Sequence, residues 1–157
     1  MPYFDTHCDT ILKVGVDGSL ERNAFDVDLQ RLSQYETAPQ VFAVFNEGNL
    51  TRGDMLQYLH TIHIQAGRCS FACFAEGYRD LAGNTGMVSC MSSIEGLGNA
   101  PDFSLDDIDA FYEAGARVMS LTWNQDNLLC GGIANNQSGL TALGQEALAR
   151  INQKKIV

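Results

Sequence analysis

The chain is short of positive charge. Ten Lys and Arg stand against 19 Asp and Glu, a formal net charge of -9 with a pI near 4.5. A surface of that sign repels nucleic-acid phosphate and anionic lipid, so both are excluded as partners, while small neutral or zwitterionic ligands stay open. There is no Cys-x-x-Cys pair. The five cysteines, Cys8, Cys69, Cys73, Cys90 and Cys130, are odd in number and scattered, which fits reduced, mostly buried thiols in a cytoplasmic protein better than a disulfide framework. No basic region followed by an apolar run opens the chain, and no apolar stretch approaches the ~20 residues of a membrane span. A soluble, cytoplasmic protein is expected. A Gly-rich phosphate loop after the first strand is also missing, because the only Gly-Gly pair, Gly131-Gly132, lies far down the chain. That speaks against an open, doubly wound nucleotide-binding sheet.

What is present is a globular composition, 157 residues with 45% apolar and 18% charged, enough for one domain with a real core. Strand and helix patterns alternate along it. After an opening strand, near-continuous apolar runs at 40–46, 87–94 and 117–124 read as strands buried on both faces, as a parallel sheet covered by helices demands. Between them, 27–32 reads as a short helical turn and 52–68 as a helix with Met55, Leu59, Ile62 and Ala66 near a 3.6-residue period. Residues 70–81 read as helical, closing at 82–84. Ser104 with Asp107 resembles a capping box for a helix ending at Gly115, and Thr141 caps a last helix through Ile151. Residues 154–157 begin a further strand. The pattern predicts an α/β chain that is the first half of a (β/α)8 TIM-like barrel, about four βα units with a truncated fifth strand. Residues 1–157 then form a single N-terminal half-barrel domain.

Candidate chemistry sits at the strand tips. Asp5, His7 and Asp9 occupy every second position of the opening strand and so share a face. Imidazole nitrogen and carboxylate oxygen suit a cation such as zinc, although Asp5 and Asp9 also read as turn or cap residues. Glu95 ends the third strand and is followed by Gly96, a carboxylate placed like a functional residue at the C-terminal tip of a barrel strand. Trp123 and Asn124 fall at the tip of the fourth. His60 and His63, at i and i+3 on the 52–68 helix, have no third ligand nearby and read as a solvated face.

The segments 4–10, 93–96, 115–124 and 139–144, in this order and spacing, resemble the membrane dipeptidase (renal dipeptidase) family of zinc metallopeptidases. The resemblance runs over the whole chain and implies a two-zinc (β/α)8 barrel that hydrolyses dipeptides, often tolerating a D-residue at the C-terminal position. By matching position, His7 and Asp9 would bind the first zinc and Glu95 would bridge both. Trp123 stands where better-known members carry a substrate-contacting His, and it offers an apolar wall and one N–H donor rather than a titratable group. With Asn124 it is the candidate substrate-binding pair. The family's second-zinc histidines, its carboxylate-binding arginine and its leaving-group acid have no match here. The expectation is therefore a fragment, inactive alone, with no catalytic residue besides the metal ligands and with metal sites partly filled or empty. Open barrel edges predict self-association, a homodimer or larger. An amidohydrolase-type metal hydrolase is the alternative, disfavoured because Asp9 stands where a second imidazole is expected. A non-catalytic α/β binding module is the third reading.

Overall fold

The computed structural model describes residues 3–77, 79–80, 86–134 and 138–157. Its centre is a parallel sheet of β1 (Ala38–Phe45), β2 (Ala72–Phe74), β3 (Val88–Glu95) and β4 (Ala116–Met119). β3 is the middle strand. β1 lies along its whole length, from Ala38 beside Val88 to Phe45 beside Glu95. On the other side β2 pairs with its first half, and β4 with its second, across a register shift at Ser92 and Ser93. Both margins carry a start of further pairing. The amides of Tyr3 and Asp5 donate to the carbonyls of Thr37 and Pro39, and Val157 exchanges bonds with Arg117 and Met119.

Parallel strands need crossovers, and helices supply them. The short α1 (Thr10–Val14) and α2 (Leu29–Leu32) fill the path from the opening segment to β1. α3 (Arg52–Arg68) leads from β1 to β2, α4 (Asp106–Glu113) from β3 to β4, and α5 (Ala142–Gln153) from β4 to Val157. This is the expected α/β architecture, with the strand and helix order of the first half of a (β/α)8 barrel and Val157 hydrogen-bonded alongside β4.

Burial explains the apolar runs. Every residue of β3 from Val88 to Ile94 is buried, because helices cover one face and neighbouring side chains the other. On the helix side, Phe42, Val44, Cys90 and Ile94 join Met55, Leu59, Ile62, Ile108 and Phe111 in one core. Each large side chain removed from water there stabilises the fold by about 1.5–3 kcal/mol. On the opposite face only Val41, Ala75 and Met91 form a small cluster, with Val118 against it. α3 keeps its expected bounds because a complete capping box starts it, with the Thr51 amide donating to Asp54 Oδ2 at 2.9 Å and the Asp54 amide to Thr51 Oγ1 at 3.3 Å.

Three expectations need correction. Residues 70–81 are not one helix, since Ala72–Phe74 is β2, held by its ladder to β3; residues 78 and 81–84 lie outside the described residues. The fourth strand stops at Met119 rather than 124. Beyond it Ser120 and Leu121 turn their carbonyls to the amides of Leu97 and Gly98, both at 2.9 Å, so Trp123 and Asn124 lie in a loop and not at a strand tip. The opening segment makes a single bridge, Asp5 with Gln40, and Asp9 already stands at the N-terminus of α1.

The loop before α4 is closed by Asp107. Its carboxylate accepts from the Ser104 amide at 2.8 Å and pairs with Arg52 Nε at 2.7 Å, tying α4 to the start of α3. Asp107 is buried but Arg52 is half exposed and recovers water when its partner is lost. Asp107→Ala should therefore destabilise the chain by about 2 kcal/mol, a lost cap of ~1 plus an unpaired amide of ~1. Urea unfolding at constant m-value checks this.

Candidate metal centre

Residues from the opening segment and from the middle strand meet at the C-terminal tip of β3. The His7 ring lies between two carboxylates, its Nδ1 2.9 Å from Glu95 Oε1 and its Nε2 3.1 Å from Asp9 Oδ1. Glu95 is delivered by the β3 ladder, His7 by the segment that runs beside β1, and Asp9 by the first turn of α1. Ser93, two residues back on the same face of β3, donates its hydroxyl to Glu95 Oε1 at 3.0 Å. Both bonds fall on one oxygen, and Oε2 has no partner among the described residues. Asp5 does not join. Its oxygens accept from the His7 amide at 3.1 Å and Gln40 Nε2 at 3.0 Å, so it acts as a turn residue that fixes where His7 starts.

The electrostatics follow from this geometry. Burial works against a charge on His7, but the hydrogen bond and charge of Glu95, with the charge of Asp9, outweigh it and hold the imidazole above its usual 6.5. A raised histidine adds stability that is fully present below about 6.5 and is lost as pH rises through the folded value. In a ring-nitrogen NMR titration of the metal-free chain, His7 should stay protonated above the ordinary histidine range. Glu95→Gln should bring it back down.

The donor set fits a divalent cation. Asp9 Oδ1 is shielded from water yet has no hydrogen-bond partner, because the nearby imidazole nitrogen lies at ion-pair distance but off the bond line. A buried carboxylate oxygen left unmatched, next to an imidazole and a second carboxylate with a free oxygen, is a donor arrangement that suits zinc. The groups are not set as a finished cage. Among the described residues no three His, Cys, Asp or Glu stand in coordination geometry, since His7 uses its nitrogens on the carboxylates themselves. His60 and His63 stay on α3, where the His63 ring packs against Phe74 at 4.7 Å.

Trp123 and Asn124 share this end of the sheet but line a different space. A cleft of about 740 Å³ runs between them, Glu47 after β1, and Gly98 to Pro101 after β3; His7, Asp9 and Glu95 are not in its lining. The Trp123 ring is edge-on to Phe45 at 5.0 Å, and Phe45 is the register partner of Glu95. The aromatic pair thus lies beside the strand position next to Glu95.

A parallel strand-and-helix sheet with a carboxylate at the tip of its middle strand, and an imidazole and a second carboxylate beside it, is the architecture of barrel-type hydrolases that work with a metal. Within that class the chain belongs to the membrane dipeptidase family, peptidase family M19, whose model matches residues 1–157. Seven solved chains resemble it in structure. One is an amidohydrolase from Pseudomonas aeruginosa, with a TM-score of 0.68 and 14% identity, covering 82% of this chain and 40% of that one. The likeness is one of fold. The chain spans about 40% of that structure's length. No curated protein matches it in sequence. No helix of the described residues is long and apolar enough to cross a membrane, and Cys8, Cys69, Cys90 and Cys130 are free thiols.

Proposed function

We propose that these residues carry the first half of the dinuclear zinc centre of a dipeptidase, with His7 and Asp9 on the first zinc and Glu95 shared between two. The observation that carries the reading is the meeting of His7 with Glu95, 88 residues apart in sequence, beside an Asp9 oxygen with no other partner. Zinc held there supplies a water of lowered pKa and polarises a peptide carbonyl. The chain's own groups prepare the place. Ser93 fixes the Glu95 carboxylate through one oxygen and leaves the other free to reach a second cation. Asp5 anchors the backbone of His7. Trp123 and Asn124 are read as the wall against which a dipeptide side chain rests, and the exposed indole supports that role. The amidohydrolase alternative has only the fold likeness behind it, and Asp9 in place of a second imidazole argues against it.

The 157 residues are proposed to be inactive by themselves, because three ligands hold a cation weakly. The free thiols of Cys8, Cys69, Cys90 and Cys130 support a reducing, cytoplasmic setting. Phe4 and Val157, at the two margins of the sheet, are each 58% exposed, which supports self-association through the edges, a homodimer or larger. The test is metal analysis and zinc titration of the purified chain, with light scattering and a dipeptide panel. Weak, saturable zinc uptake by an associated, inactive chain is expected. A chain that takes up no zinc would sink the metal reading, chelator-sensitive hydrolysis would overturn the inactivity, and a monodisperse monomer would overturn the association.

A further inference from the structure

Three asparagines outside every motif read from the sequence link the loops that follow β1, β3 and β4. Asn46, wholly buried at the end of β1, accepts on its Oδ1 from the amides of Gly48 at 2.8 Å and Leu50 at 3.1 Å. Its backbone carbonyl accepts from Asn99 Nδ2 at 2.8 Å, across 53 residues. Asn99 Oδ1 accepts in turn from Asn127 Nδ2 at 2.7 Å, across 28 residues. Asn127 Nδ2 also donates to the Leu121 carbonyl at 2.9 Å, while its Oδ1 receives the amides of Leu129 at 2.8 Å and Cys130 at 3.1 Å.

This line of amides passes over Gly96. That residue is left-handed, with φ 76°, and a Cβ on it would lie 2.5 Å from the Asn46 carbonyl oxygen and 2.8 Å from Asn99 Nδ2. The bond between the two asparagines therefore closes directly against the residue that follows Glu95. It fixes the direction in which the chain leaves β3, and with it the aim of the carboxylate. At its other end Asn127 grips the loop carrying Trp123, by way of the Leu121 carbonyl. An amide network of this kind, buried at Asn46 and half-buried at Asn99 and Asn127, is rigid when complete.

We propose that Asn99 and Asn127 are positioning residues, a brace that keeps the Glu95 carboxylate and the Trp123 ring in register with one another across three loops. Its effect on metal rests on the reading of Glu95 as a ligand; its effect on Trp123 does not. Asn127→Asp is the cleanest cut. It keeps an oxygen for the Leu129 and Cys130 amides, so the local turn survives, but it loses the Nδ2 donor and sets a carboxylate against Asn99 Oδ1. Trp123 is the single tryptophan of the chain, so its emission reports on the loop alone.

In the folded variant, with its far-UV signal and cooperative melt retained, the Trp123 emission should shift to the red. The Gly96 amide resonance should move with it. Co²⁺ affinity, read from the visible absorption of the bound ion, should fall about tenfold, the low end for loss of a group that orients a ligand. Unchanged Trp123 emission, or unchanged Co²⁺ affinity, overturns the brace. If the parent chain itself takes up no Co²⁺, the metal reading fails, and the brace is judged on Gly96 and Trp123, which must still move together. Should Asn127→Asp not fold, Asn99→Ser, which removes the donor to Asn46, is read in the same way.

Discussion

Glu95→Gln should lower the zinc affinity of the chain by at least about 100-fold. The outer partner of a metal ligand is worth ~10–100-fold, and a residue that itself touches the metal is worth no less. The substitution keeps the size of the side chain and an oxygen for the Ser93 hydroxyl, and removes only the negative charge and one oxygen. Glu95 sits at the end of β3 with its side chain 13% exposed, so the neutral amide is tolerated and stability should change by less than about 1 kcal/mol. Competition against a chelator of known strength reads the affinity, and thermal melting reads the fold. A Glu95→Gln variant that binds zinc as tightly as the parent removes Glu95 from the site, and with it the two-cation reading.

Gly96→Ala carries the largest expected cost to the fold. A residue with a side chain in the left-handed region costs about 1–2 kcal/mol, and forcing a methyl against the Asn46 carbonyl and the Asn99 amide adds about 1–3 kcal/mol. The sum is about 3 kcal/mol, a fall in Tm of roughly 6–12 °C for a chain of this size. Gly67 is the control. It lies in the last turn of α3 with nothing within 4 Å of an added Cβ, so Gly67→Ala should stabilise the chain by about 0.5–1 kcal/mol. A Gly96→Ala variant as stable as the parent would mean that the turn after Glu95 can open freely.

The sequence speaks clearly where local chemistry and tertiary burial agree. Met55, Leu59, Ile62 and Ala66 recur near a helical period and form the buried stripe of α3, so that helix could be read from the residues alone. β2 was illegible because three residues, Ala72 to Phe74, carry no alternation and no β-branched side chain, and only the ladder to β3 defines them. The overshoot of β4 has a similar cause. Leu121 and Thr122 suit a strand, but the amides of Leu97 and Gly98 capture the chain at Ser120 and Leu121 first. That His7, Asp9 and Glu95 could meet was legible from their types and spacing, although His7 and Asp9 lie outside any strand and Asp5, spaced alike, holds the backbone instead. The asparagines of the brace gave no signal. Asn is common in loops, and nothing local distinguishes one that reaches a carbonyl 53 residues away.

The contact between His7 and Glu95 also says when the centre can exist. α3 is made of local bonds and can form early, on the microsecond scale of helices. The imidazole meets its carboxylate only after a loop of 88 residues has closed and β3 has zipped onto β1, a slow, entropically costly step. The donor cluster is thus among the last features assembled as the chain folds, and a cation added during refolding would find its seat only once the sheet is nearly complete.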